Sequence, residues 1–367
     1  MKFLKKFMLI SFSIAAVLTL VSFLFLQQDV FGKTPAGTRL ERIHNSPNYR
    51  DGSFRNISET PVQAEDASFL GMLYDFFNKS ANTRPANPIP TVKSDLKAAA
   101  TNETSIYWFG HSSYLIKAQQ YTILVDPVLS GYASPVSFMV KAFDGTDAYT
   151  TADLPEIDML VISHDHYDHL DHKTIVELKD KVKHFYVPLG VGGHLENWGI
   201  EASNITELDW WESATFKELT LTATPARHFS GRGLSRGKTL WASYVLETPA
   251  SKVYIGGDSG YDTHFKEIGE KFGNIDIAIL ETGQYNKSWP YIHMMPEQTV
   301  QAAIDLHADV LFPMHLGKFA LALHAWDEPL QRVTKSATEK QVKITTPLIG
   351  EPVILGKSYP TSQWWTL

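Results

Sequence analysis

The six residues HDHYDH at 164–169 bring together His164, His166, Asp168 and His169 as candidate metal ligands, and they follow almost directly on the apolar run Met159, Leu160, Val161 and Ile162. Such a run, closed by a polar cluster, reads as a buried strand ending in a turn. Alternate side chains of an extended segment share a face, so His164 and His166 can hold one ion together. Asp168 and His169 lie beyond the turn, where they suit a second ion. Imidazole favours zinc and related first-row metals, and a carboxylate among histidines leaves room for water or substrate as a further ligand. The chain must therefore fold so that this strand end meets other ligand-bearing loops.

Composition narrows the chemistry. With no cysteine among 367 residues, disulfides, thiolate metal sites, iron–sulfur clusters and cysteine nucleophiles are ruled out, and any metal rests on His, Asp, Glu or backbone oxygen. A formal charge of -7 gives no global basic field, so no nucleic-acid partner is expected. Lys2, Lys5 and Lys6 precede an uncharged, mostly apolar run at 7–26, long enough to cross a bilayer. The positive-inside rule places the remainder on the non-cytoplasmic side. The alternative is a signal peptide cleaved near Val30 and Gly32, which would leave a secreted or periplasmic protein. A run longer than the usual signal core favours the retained anchor.

Three segments follow from the pattern: 1–31 as anchor or signal, 32–100 as an irregular lead-in, and 101–367 as the catalytic domain. The lead-in is rich in Pro, Asn, Ser and Thr, and either wraps the domain or spaces it from the membrane. Within it, Phe69, Met72, Leu73, Phe76 and Phe77 recur at helical spacing and predict a short amphipathic helix. Beyond 104, β-rich runs occur at 106–116, 121–125, 159–162, 185–187, 219–223, 241–246, 253–255, 277–280 and 310–312. Helices are expected at 172–181, after Asp171, and at 297–307, after Pro296. Many strands before the first long helix suggest sheets packed between helical layers.

HDHYDH resembles the H-x-H-x-D-H signature of the metallo-β-lactamase superfamily. The resemblance implies an αββα sandwich whose other ligands come from later strand ends. His228 in TPARHF, Asp258 in IGGDSG and His315 in FPMHLG occupy such positions in order. It further implies a first ion on His164, His166 and His228, a second on Asp168, His169 and His315, and Asp258 bridging the two. The cofactors would be two divalent ions, most simply zinc. Attack would come from a metal-bridging hydroxide, with Asp168 and Asp258 counted among the catalytic residues.

The segments WFGHSSYLI, ILVDPVLSGYASP, PARHFSGRG, KTLWASYVLET, GGDSGYD, KFGNIDIAIL and MHLGKFALA narrow the likeness. With the histidine motif they resemble N-acyl-phosphatidylethanolamine-hydrolysing phospholipase D and its bacterial relatives, over roughly 104–322. That likeness implies cleavage of a phosphodiester in a membrane phospholipid, releasing phosphatidic acid and an N-acylethanolamine. The stretch 139–151 and the tail beyond 323 carry no resemblance. A lactonase or other ester hydrolase is the alternative enzyme, and a non-catalytic metal-binding envelope scaffold the alternative outside enzymology.

Several residues extend the site. His111 and Asp126 lie near the ends of the first strand pair and could orient metal-binding imidazoles. His293, in PYIHMMPE, could bind substrate phosphate or protonate the leaving group. Arg227 is a candidate phosphate contact, whereas Arg232 is expected to be a solvated surface residue. His172, His184, His194, His264, His307 and His324 receive no role.

Overall fold

The computed structural model describes residues 2–64, 68, 71, 74, 77–98 and 103–366. The amino-terminal run lies in one helix, α1 (Lys2–Leu26), none of whose residues is buried. Its stretch from 7 to 26 is about 30 Å long at 1.5 Å per residue, the thickness of a bilayer's hydrocarbon core. A 3₁₀ turn (Asp29–Phe31) and helix α2 (Gly37–His44) carry the chain onto the catalytic core. Arg39 Nε donates to Glu207 there at 2.6 Å, and its other two nitrogens grip Glu196. A small hairpin follows, β1 (Tyr49–Arg50) and β2 (Ser53–Phe54). Just beyond it, Asn56 Nδ2 donates to the His228 carbonyl at 2.7 Å. This part of the lead-in therefore wraps the core. The expected helical stripe at Phe69, Met72, Leu73 and Phe76 lies outside the described residues.

The first large sheet starts with β3 (Ser105–Trp108), β4 (Tyr114–Ala118), β5 (Tyr121–Val125) and β6 (Ile157–Val161), and continues with β7 (Val182–Pro188) and β8 (Ile205–Leu208). The second contains β9 (Ser213–Phe216) and β10 (Leu219–Thr224). A projecting two-stranded hairpin, β11 (Gly231–Arg232) and β12 (Ser235–Arg236), precedes β13 (Ser243–Glu247), β14 (Lys252–Ile255), β15 (Ile277–Glu281) and β16 (Leu311–Met314), which complete that sheet. The last strand, β17 (Pro352–Ile354), pairs antiparallel with β3. The sheet orders are β17-β3-β4-β5-β6-β7-β8 and β16-β15-β14-β13-β10-β9.

Parallel pairs need long crossovers, and the helices within them cover the sheets' outer faces. Thus α3 (His172–Leu178) joins β6 to β7, and α4 (Gly192–Asn197) joins β7 to β8. On the second sheet α5 (His264–Phe272) lies between β14 and β15, and α6 (Pro296–Asp305) between β15 and β16. Helix α7 (Glu328–Glu339) packs beside α6. The result is an αββα sandwich. Both faces of its sheets are buried, by Leu115, Ile123, Leu160, Leu221, Val245 and Ile279 among others.

Register decides where the ligand loops emerge. Val125 pairs with Val161, so residues 126 and 163–169 leave the first sheet at one edge. In the second sheet β14, β15 and β16 run parallel, and two antiparallel pairings through β13 align β10 with them. The loops after β10, β14, β15 and β16 therefore share an edge too. Tyr244 Oη donates to the Ile162 carbonyl at 2.8 Å, tying the sheets together beneath the histidine loop.

Two expected elements differ in the structure. The run 106–116 divides into β3 and β4 around a turn at Gly110 and His111, both with positive φ. The helix expected over 172–181 ends as an α-helix at Leu178 and tightens into a 3₁₀ turn, Lys179–Lys181.

Candidate metal centre

Seven of the side chains expected to bind metal converge between the two sheets. One donor atom from each of His164, His166, His228 and Asp258 lies within 4.8 Å of the others, and His111, Asp168, His169 and His315 form a second such group. His164 Nε2 is 2.8 Å from His166 Nδ1, which is 3.2 Å from His228 Nε2. Asp258 divides its oxygens between the groups. Oδ2 is 3.8 Å from His164 Nε2 and 3.7 Å from His228 Nε2, while Oδ1 is 3.1 Å from both His169 Nε2 and His315 Nδ1. Asp168 Oδ2 is 3.6 Å from His169 Nε2 and 4.0 Å from His315 Nε2.

Backbone geometry makes this approach possible. Gly257 has φ +59°, and a Cβ there would lie 2.7 Å from Ser163 Cβ. At Gly283 a Cβ would stand 1.7 Å from the His315 carbonyl oxygen, so only glycine lets the β15 and β16 loops touch. His111, Asp126 and His315 adopt φ of 53°, 40° and 65°, a costly region for such residues that surrounding structure must hold. Part of the hold is mutual: His111 N–H donates to the Leu316 carbonyl, and His315 N–H to the His111 carbonyl.

Electrostatics favour a cation here. Burial pushes the His164, His228 and His315 imidazoles well below their ordinary range, keeping them neutral and able to donate lone pairs. Burial acts the same way on His169, but Asp258, Asp168 and Asp126 outweigh it and hold that imidazole well above its ordinary value. Burial raises Asp168 and Asp258, yet nearby histidines, His169 foremost, bring both carboxyls well below the usual range. His169 Nε2 and Asp258 Oδ1 are buried without a hydrogen-bond partner. A nitrogen and oxygen donor set with converging, unsatisfied atoms fits a divalent ion.

Residues 121–316 match the family model described as the Beta-lactamase superfamily domain. An uncharacterized protein of Mycobacterium tuberculosis is 41% identical over 327 residues, which cover 88% of this chain and 88% of that one. The chain belongs to the metallo-β-lactamase superfamily. It is also similar to N-acyl-phosphatidylethanolamine-hydrolyzing phospholipase D 1 of Caenorhabditis elegans, with 35% identity over 228 residues, 58% of this chain and 64% of the worm protein. Among solved structures, a metallo hydrolase of the archaeon Ignicoccus hospitalis superposes with a TM-score of 0.54 at 21% identity, covering 70% of this chain and 99% of the other. That likeness speaks to the fold alone. The family and the donor cluster make the chain a metal-dependent hydrolase that uses a divalent metal.

Superfamily sites depend on groups that hold the ligands, and the structure separates these. Asp126 accepts from His169 Nδ1–H at 2.8 Å and is itself fixed by the Ser163 backbone N–H at 2.8 Å and hydroxyl at 2.6 Å. Asp126 thus orients an imidazole. His111 instead touches a carboxylate, its Nε2 lying 2.9 Å from Asp168 Oδ2. His228 Nδ1–H donates to the Ile292 carbonyl at 2.9 Å, which turns Nε2 towards the cluster.

Of the two arginines, Arg232 stands otherwise than expected. Arg227 donates to Thr60 Oγ1 at 3.0 Å, the Tyr261 carbonyl at 3.2 Å and the Glu59 carbonyl at 2.8 Å, so its guanidinium braces the lead-in. Arg232 is buried, not solvated. It donates to the carbonyls of Asp165 and Leu170, both at 2.8 Å, and stacks over Tyr167. Burial without a carboxylate contact is offset by these carbonyls and the aromatic face.

Asp165 and Glu281 are the acids that sequence reasoning missed. Asp165 Oδ1 accepts from Gly231 N–H at 2.7 Å and Oδ2 from the Thr239 hydroxyl at 2.8 Å, pinning the histidine loop to the second sheet's connections. Glu281 ends β15 with no exposure and accepts the Met294 N–H at 2.5 Å. Its free Oε2 lies 3.6 Å from His293 Nδ1. The His293 ring sits 5.1 Å from that of His228 and 5.3 Å from that of His315. Burial lifts the Glu281 carboxyl to about 6, while burial's downward pull on His293 is outweighed by Glu281. A cavity of about 590 Å³ opens beside His228, lined also by Phe229, Arg236 and residues 53–62 of the lead-in.

Proposed function

We propose that the chain is a binuclear zinc phosphodiesterase of phospholipase D type, hydrolysing a membrane phospholipid such as N-acyl-phosphatidylethanolamine. The observation that carries the binuclear part is Asp258, whose two oxygens face two separate groups of ligands. His164, His166 and His228 would hold one ion, Asp168, His169 and His315 the other, with Asp258 shared. When bound, two such ions supply Lewis acidity and generate a nucleophile from water at neutral pH. The chain's own residues do the rest. Asp126 and the Ile292 carbonyl hold His169 and His228 in orientation, and His111 steadies Asp168. His293, backed by Glu281, lies beside His228 and His315 and would pass a proton to the departing alkoxide oxygen.

The phospholipid reading is supported by the similarity to the worm phospholipase D and by α1, which would keep the catalytic domain at the non-cytoplasmic face of a membrane. Likeness of fold alone would not carry a substrate. Detergent-purified enzyme incubated with a phospholipid panel, with products identified by mass spectrometry, tests it. Phosphatidic acid together with an N-acylethanolamine is the expected outcome; released fatty acid alone would reassign the chain to ester hydrolysis. Elemental analysis of the same active preparation should give about two divalent ions per chain, and a plateau at one would remove the binuclear assignment.

A further inference from the structure

The segment following α1 is built into the catalytic core. The Asp29 carbonyl accepts from Trp198 Nε1 at 2.7 Å, the Val30 carbonyl from Arg232 Nη2 at 2.6 Å, and His194 Nδ1 from Lys33 N–H at 2.9 Å. Phe31 packs edge-on against Phe25 of α1 and against Tyr167 of the histidine loop. Gly32, at φ +70°, admits the His194 ring where a Cβ would stand 2.1 Å from Nδ1. The end of the apolar helix is thus fixed relative to the metal centre, not joined to it by a loose linker.

Beside that fixed point stands the hairpin β11–β12. Leu26, the last residue of α1, lines one small cavity with Phe31, Gly233, Leu234 and Lys238. Leu234, at the hairpin tip, is 87% exposed, a costly position for a leucine in water. The hairpin carries no acidic residue, while Arg232, Arg236 and, just beyond it, Lys238 are basic. On its other side Arg236 lies over Phe229 and lines the cavity that His228 borders.

We propose that the hairpin Gly231–Arg236 is a membrane-contact element in which Leu234 enters the phospholipid interface beside the end of α1. The occupant is a lipid surface because the tip adjoins the end of a span as long as the hydrocarbon core is thick. The exposed Arg236 complements phospholipid phosphates, with Lys238, whose Nζ donates to the Gly52 carbonyl at 2.6 Å, beside it. The hairpin then joins the bilayer on one side to the cavity at His228 on the other. The inference rests on the reading of α1 as a retained span.

Because the chain lacks cysteine, a single labelling site tests this on the full-length protein. Leu234→Cys carrying an environment-sensitive nitrobenzoxadiazole label is reconstituted into phospholipid nanodiscs, alongside Lys335→Cys, whose side chain on α7 is 77% exposed. The expected result is blue-shifted emission at 234, with severalfold stronger quenching there than at 335 by lipids spin-labelled just below the headgroup. Emission at 234 matching that at 335, with equal quenching, overturns the proposal. Intact-mass measurement of the same sample reports separately on α1. A chain that has lost α1 while its label still inserts keeps the hairpin's role and discards the anchor, and an intact chain with a solvated label does the reverse.

Discussion

Asp258→Asn should lower turnover on the order of 10³-fold and strip metal from the protein, if the ions contribute roughly 4 kcal/mol of barrier lowering. The substitution keeps the side chain's shape and removes its charge. Asp258 presents one oxygen to the His164 and His228 side and the other to the His169 and His315 side. An amide is neutral and has one oxygen, and its nitrogen cannot serve as a ligand, so both groups lose the charge of Asp258 and one of them loses its oxygen as well. The loss extends to His169, because Asp258 is the foremost of the carboxylates that offset burial there. Metal content per chain should fall along with activity, while circular dichroism stays native because no packing volume changes. An Asp258→Asn enzyme with full metal and near-normal turnover would show that the carboxylate does not bridge.

The seven clustered residues were legible because each lies directly after a strand, and register then carries strand ends to a common edge without further information. His164, His166, Asp168 and His169 needed only the local pattern of an apolar run and a turn. The groups that hold them needed contacts between distant parts of the chain. Arg232 sits in GRGLSRGK, a glycine-rich, basic stretch with the composition of an exposed turn, yet its partners are the carbonyls of Val30, Asp165 and Leu170. Arg227 reads as a phosphate contact from its place beside His228, and nothing local in the sequence shows that Glu59 and Thr60 of the lead-in also bind it.

The strands that escaped notice share a different cause. Ile205–Leu208 and Ser213–Phe216 are short and only partly buried, so ITEL and SATF lack an apolar run. Pro352–Ile354 acquires its identity solely by pairing with β3 across more than half the chain. Edge strands of this kind are defined by their neighbours more than by their own residues.

Glu281 shows the same limit at the active centre, and it leads to the second large effect. In IAILETG it looks like an acid ending a strand, and its partner His293 stands twelve residues later in a loop that returns to the same place. If His293 hands a proton to the leaving oxygen, His293→Ala should reduce turnover about 10²-fold, the lower end of general acid–base contributions. Metal content should be unchanged, in contrast to Asp258→Asn. Glu281→Gln retains the acceptor for the Met294 N–H but removes the charge facing Nδ1, so turnover should fall about 10-fold through misplacement of His293. Two residues acting as one unit are strongly non-additive, so the doubly substituted enzyme should be no slower than His293→Ala alone. Steady-state kinetics with metal analysis on all three variants decides the matter. Full turnover in His293→Ala would remove it from the reaction, and additive losses in the double variant would separate Glu281 from it.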